Sequence, residues 1–278
     1  MNNNSLSRFD LKDRVIVITG GAGLLGVMHA ESIAGAGGTP VLSDLNGEAA
    51  EKSATSISEK YGVPALGIQT DITNKPNVEE LCNSILSRFG RVDGLINNAA
   101  NNPKMEDSQQ TTEWSRFENF SLDAWEQDMA VGLKGAFLCS QVLGSKMAEQ
   151  GKGVIVNISS DLGLVGPDQR LYKKESVPAD QQPVKPVTYP VIKSGLIGLT
   201  RYLATYWATE GVRVNALCPG GVEAGQPEDF KERLHSRIPM NRMAQKDEYQ
   251  GTILFLVSDA SSYMTGATLA VDGGRTCW

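Results

Sequence analysis

"RVIVITGGAGLLG", residues 14–26, sets a β-branched apolar run directly against a cluster of glycines. An apolar run without polar alternation reads as a strand buried on both faces. The glycines let the chain turn tightly out of that strand and open a helix whose N-terminus favours a pyrophosphate. Gly21, Gly23 and Gly26 satisfy GxGxxG, a weak sign alone because turn glycines are common. The next apolar run strengthens it, since "VLSD" ends on Asp44, 18 residues beyond Gly26 (44 − 26). A carboxylate at a strand tip can accept from both ribose hydroxyls of a dinucleotide and repels a 2′-phosphate. No arginine or lysine adjoins Asp44 in sequence, so the pattern favours NAD over NADP. The competing role for Asp44 is a turn or helix cap ahead of "LNGEAAE".

Six further short apolar runs follow, at 39–44, 64–71, 92–98, 153–159, 212–218 and 267–274. Helix candidates lie between them, near 24–36, 47–60, 75–89, 122–150, 189–210 and 246–258. Non-alternating strands separated by helices predict an α/β fold, a seven-stranded parallel sheet doubly wound with helices on both faces. No linker divides the chain, so residues 1–278 read as one domain with a frayed lead-in at 1–10. Two segments break the rhythm, 101–120 and 166–188. Each follows a strand and should hang over the carboxyl ends of the sheet, where open α/β folds bind ligands.

Charge and composition narrow the partners. A net charge of −6 argues against nucleic acid or an anionic membrane surface, so local donors must meet any phosphate. The four cysteines are scattered without metal spacing and there are only two histidines, which argues against a zinc site or a disulfide framework. No uncharged apolar stretch reaches about 18 residues and the N-terminus has no apolar core, so a cytoplasmic location is expected.

The segment "TYPVIKSG", 188–195, places Tyr189 four residues before Lys193. On a helix the two share a face, and Pro190 is tolerated in a first turn. A cation beside a phenol favours the phenolate, whose ordinary pKa is about 10, and such a tyrosine can trade protons near neutral pH. The pair alone also arises by chance in ordinary domains.

Seven short motifs decide its weight. "TGGAGLLG" (19–26), "TDIT" (70–73), "INNAA" (96–100), "NISS" (157–160), "YPVIK" (189–193), "ALCPGG" (216–221) and "VDGG" (271–274) resemble, in order and position, a compact short-chain dehydrogenase/reductase. The resemblance runs from residue 11 to 275 and implies a three-layer Rossmann fold. It implies that Tyr189 handles the substrate hydroxyl proton, that Lys193 lowers the tyrosine pKa and holds the nicotinamide ribose, and that Ser160 steadies the substrate oxygen. For the cofactor it implies a cradle at Gly20, Gly23, Leu25 and Gly26, with Asp44 and Leu45 at the ribose. Asp71 and Ile72 then border the adenine, Asn98 and Ala99 line the ribose side, and Pro219, Gly220 and Val222 flank the nicotinamide, with no metal.

The chain also departs from the family pattern. Its glycines fit TGxxGxxG, with Leu24 at a usual glycine position, a spacing typical of the longer branch that epimerises and dehydrates nucleotide sugars. Gly132 stands where an asparagine usually holds a water of the proton relay, and a helical glycine there suggests a local kink or a bound group filling the gap. Ala224 replaces a common threonine, and Ser160 and Tyr189 are 29 apart (189 − 160) because of the 166–188 insertion. That insertion carries Arg170, Lys173, Lys174 and Lys185, and the 101–120 segment adds Lys104 and Arg116 beside Trp114 and Phe117. Such groups suit an anionic or sugar-linked substrate. The stretches around 158–172 and 186–207 also resemble dehydrogenases of bacterial surface-carbohydrate pathways. The expectation is an NAD-dependent oxidoreductase interconverting a secondary alcohol and a ketone on a sugar or sugar phosphate, assembled as a homotetramer or homodimer. An NAD-retaining epimerase or dehydratase, and a non-catalytic NAD-binding protein, are the alternatives.

Overall fold

The computed structural model describes residues 5–103, 105, 113–175 and 177–278. Seven strands, β1 (Val15–Thr19), β2 (Thr39–Asp44), β3 (Leu66–Gln69), β4 (Gly94–Asn97), β5 (Gly153–Ile158), β6 (Val212–Pro219) and β7 (Thr268–Val271), form one sheet. Its order is β3-β2-β1-β4-β5-β6-β7 and every neighbouring pair is parallel. Because side chains alternate along a strand, Val15 and Val17 pack on one face of β1 while Ile16 and Ile18 pack on the other. The first face is covered by α3 (Lys75–Phe89), by a long helix α4 (122–149) and by α5 (Thr188–Tyr206). The second carries α1 (Leu24–Gly35), α2 (Gly47–Tyr61) and α7 (Gln250–Val257). Each fully buried aliphatic side chain in these layers contributes about 1.5–3 kcal/mol.

Helix α4 runs from Leu122 to Glu149 and includes two π turns, Ala130–Lys134 and Ser140–Gly144. Gly132 lies in the first of them. Helix α5 stops four residues short of the predicted 210, because Trp207 turns into the core against Gly144. Among the described residues no helix is long and apolar enough to cross a membrane.

Two features were not predicted. Ser5–Phe9 forms a 3-10 turn near Asp259–Ser261, where a frayed lead-in was expected. A short helix α6 (Glu228–His235) forms a separate apolar cluster over the carboxyl edge with the 166–188 insertion. Leu171 and Tyr172 bury there against Phe230 and Leu234, and Arg233 donates to the Leu171 carbonyl.

His29 of α1 is fully buried and neither ring nitrogen has a hydrogen-bond partner. Burial drives its pKa down to about 4. The unfolded chain binds this proton below about 6.5 and the folded chain refuses it until about 4, so protons favour unfolding as pH falls through that window. Stability should therefore drop by up to about 3 kcal/mol between pH 7 and 4 on this account. Urea unfolding of His29→Leu beside the parent chain checks it: the variant should lose less stability on acidification.

Candidate active site

All seven strands deliver their carboxyl ends to one edge, and the strand order reverses at β1 and β4, the place where doubly wound sheets open a crevice. The loop after β1 enters that crevice. Gly20 has φ +61°, and a Cβ on Gly26 would lie 2.2 Å from the Gly20 carbonyl oxygen, so the turn closes only with glycine at these points. Helix α1 starts at Gly23 with no side-chain cap, and Leu24 and Leu25 of its first turn line the cleft. A tight glycine cradle and an uncapped helix start fit a dinucleotide pyrophosphate.

Asp44 ends β2 and accepts from the backbone N–H groups of Ala22 and Asn46, both at 3.0 Å, which ties the strand tip to the glycine loop. Leu45 beside it is exposed. Asp71 accepts from the Thr73 amide and hydroxyl, holding the turn after β3, while Ile72 is buried against α4. Asn98 donates to the Thr19 and Gly20 carbonyl oxygens at 3.0 and 3.1 Å, and so braces the glycine loop from β4. Ala99 donates its backbone N–H to the Thr19 hydroxyl.

A cavity of about 390 Å³ opens beside this loop. Of the residues singled out from the sequence, Leu25, Asn98, Ser160, Tyr189, Lys193, Pro219, Gly220 and Val222 line it. Gly20, Gly23, Gly26, Asp44, Leu45, Asp71, Ile72 and Ala99 lie along the same edge outside its lining. A larger hollow of about 890 Å³ at the opposite edge holds none of them. Its Arg14, Arg91 and Arg213 are engaged by Asp259, Asp93 and backbone carbonyls.

Within the cavity, Lys193 is buried and its Nζ donates to the Ile158 carbonyl oxygen at 2.8 Å. Its own carbonyl accepts from the Ser159 hydroxyl at 2.7 Å, which pins α5 to the end of β5. Ser160 donates to Asp161 Oδ1 at 2.7 Å, and Asp161 is ion-paired to Arg275 beyond β7. Tyr189 keeps part of its surface on the cavity. Burial pushes its phenol up to about 12, a hydrogen bond with Ser160 works against that, and the Asp161 charge adds to it. Burial also drives Lys193 down to about 8, with Cys218 opposing and Lys185 assisting. The expected depression of Tyr189 by Lys193 is thus absent from the protein framework: the ammonium lies 5.5 Å from the ring centre and is turned to a carbonyl.

The insertions sort their charges unequally. Lys185 is buried, lines the cavity, and places its Nζ 4.1 Å above the Tyr189 ring. Arg170 pairs with Asp168 on the surface, Arg116 pairs with Glu118 and reaches the Ala179 carbonyl, and Lys173 is exposed. Lys174, Trp114 and Phe117 do not line the cavity, and Lys104 lies outside the described residues. Sequence reasoning missed Asp161 and Arg275, whose only signal was adjacency to "NISS" and "VDGG".

Residues 22–276 match the family described as enoyl-(acyl carrier protein) reductase. The chain belongs to the short-chain dehydrogenase/reductase superfamily. The 3-oxoacyl-[acyl-carrier-protein] reductase of Aquifex aeolicus is 33% identical, over 95% of this chain and 98% of that protein. The D-threitol dehydrogenase of Mycolicibacterium smegmatis is 32% identical over 96% of this chain and 95% of its own length. The gluconate 5-dehydrogenase of Burkholderia cenocepacia, solved with NADP and tartrate, superposes with a TM-score of 0.86 at 28% identity, covering 99% of this chain and 100% of that one. As a superfamily member this chain is an oxidoreductase of CH–OH groups that binds a nicotinamide dinucleotide and a small-molecule substrate.

The position of the usual relay asparagine is filled by a neighbour. A Cβ on Gly132 would stand 2.6 Å from Ile192 Cγ2, so an α5 side chain occupies the gap, and the helix takes a π turn at that point. Gly132→Asn should overpack this contact and lower stability by about 1–3 kcal/mol. Thermal unfolding of Gly132→Asn with and without Ile192→Ala checks it, the second change restoring much of the loss.

Proposed function

We propose that the chain is an NAD-dependent dehydrogenase that interconverts a secondary alcohol and a ketone on a sugar or sugar derivative. The observation that carries this reading is the convergence of Ser160, Tyr189 and Lys193 on one cavity at the carboxyl edge, beside the glycine cradle. A bound oxidised nicotinamide supplies the two-electron acceptor for the carbinol hydrogen and a positive charge beside Tyr189. Tyr189 takes the hydroxyl proton, Ser160 holds the same oxygen, and Lys193, fixed by Ile158, orients the cofactor side of the site. Asp44 supports NAD over NADP, because its carboxylate stands at the β2 tip with no cation paired to it among the described residues. Asn102, Gln226, Asp161 and Arg275 in the cavity lining support a polyhydroxylated substrate, as do the threitol and gluconate activities named for its relatives.

Fluorescence titration with NADH and NADPH, followed by oxidation assays on threitol, mannitol, gluconate and sugar phosphates, tests the reading. NADH should bind the more tightly, one of these alcohols should reduce NAD, and Tyr189→Phe should lose about 100-fold or more of turnover while retaining NADH binding. Preference for NADPH overturns the Asp44 argument.

Self-association through α4 and α5 belongs to the same proposal. Phe137, Tyr202 and Tyr206 are about half exposed or more, and Met129, Leu133 and Leu199 continue the apolar surface across both helices. Such a face suits a second copy of itself, giving a homodimer or a homotetramer built on it. Light scattering at micromolar concentration should find an assembly in the parent chain and a smaller one in Tyr202→Glu with Phe137→Glu.

A further inference from the structure

The last turn of the chain delivers a cation to the cavity. Beyond β7, Gly273 and Gly274 take φ of +66° and +90° and turn the chain back over the carboxyl edge. Asp272 ties that turn by accepting from the Gly274 and Thr276 amides, both at 2.9 Å. The turn brings Arg275 into the cavity lining with its side chain 11% exposed.

There Arg275 meets Asp161, and the two partners are unequally satisfied. Asp161 accepts from the Ser160 hydroxyl and the Leu162 amide on Oδ1 and from Arg275 on Oδ2. Arg275 engages it through Nη1 alone, and among the described residues no acceptor meets its Nε or Nη2. That edge of the fork is left for an occupant of the cavity. Because Asp161 bonds Ser160 at one oxygen and Arg275 at the other, the two anchor points are one carboxyl group apart, a span suited to a small hydroxy acid.

Charge narrows the occupant further. Leaving aside Lys185, which donates to Asn102, the lining sets Arg275 and Lys193 against the single carboxylate of Asp161. One more negative charge balances them, and imbalance is costly where side chains are buried. A carboxylate brings that one charge in a plane that matches the guanidinium fork. A phosphate dianion brings a second charge against Asp161, and a neutral polyol leaves the cation excess standing.

We propose that Arg275 is a specificity-determining residue that receives a carboxylate of the substrate, so that the alcohol oxidised here is a polyhydroxylated acid. This rests on the function proposed above and narrows its sugar derivative to a sugar acid.

Dead-end complexes of the full-length, NADH-loaded protein test the assignment without turnover. Gluconate, glucitol and glucitol phosphate share a carbon chain and carry one, no and two negative charges, and each is titrated by NADH fluorescence, with galactonate and tartrate as further acids. At least one acid should bind about tenfold more tightly than glucitol and glucitol phosphate, and Arg275→Gln should abolish that advantage while glucitol and NADH binding hold within about twofold. Asp161→Asn should raise the affinity of glucitol phosphate several-fold, because the opposing charge is gone, whereas a merely structural ion pair would weaken all ligands alike. Acids no tighter than glucitol, glucitol phosphate tighter than every acid, or an acid advantage that survives Arg275→Gln overturns the proposal. Should Arg275→Gln fail to bind NADH, Arg275→Gln with Asp161→Asn, which orphans neither charge, decides by the same comparison. If an acid is held through Arg275 but none is oxidised by NAD, the anchor stands and the dehydrogenase reading falls. If neutral polyols are oxidised and no acid binds more tightly, the dehydrogenase reading stands and the anchor falls.

Discussion

Where β1 and β4 lie side by side, the chain leaves each strand in an opposite direction around the sheet. The exposed carboxyl ends are satisfied from across the pair. Asn98 of the β4 end donates to the Thr19 and Gly20 oxygens of the β1 end, and Thr19 returns its hydroxyl as acceptor to the Asn98 and Ala99 amides. This reciprocal clasp settles the glycine loop, and the loop in turn settles where a pyrophosphate can lie.

A second set of buried polar contacts carries the same order into the catalytic half. Asn97 donates to Asn157 and to Ser140, Asn157 donates to Thr200, and Thr200 donates to the Leu196 carbonyl. These residues link β4, β5, α4 and α5 through the core, where each unmade hydrogen bond costs about 1–3 kcal/mol. The register of α5 against β5 is thereby held at several points. The Ser159 bond to the Lys193 carbonyl is the last of them. Tyr189 and Lys193 owe their common outlook to helical spacing, but their aim into the cavity comes from this polar ladder.

That division explains what the sequence could disclose. The strands, the glycine turn and the Tyr189 and Lys193 spacing depend on local period and local backbone freedom, and all are legible within a dozen residues. Lys185 was visible only as one cation among six, because its selection depends on Gln169 and Asn102 meeting it, and on Ser115 meeting its neighbour Val184, from separate segments. The π turn around Gly132 was equally hidden: composition shows a missing side chain, and only the approach of α5 shows that Ile192 takes its volume. Helix α6 went unread because its apolar contacts, Phe230 and Leu234, answer to the insertion rather than to the sheet.

The bond between Asp161 and Arg275 joins residues 114 positions apart. Asp161 is buried, a place that is costly for an uncompensated charge, and its partner is among the last residues of the chain. The floor beneath Ser160 is therefore complete only when the segment beyond β7 has packed back against the end of β5.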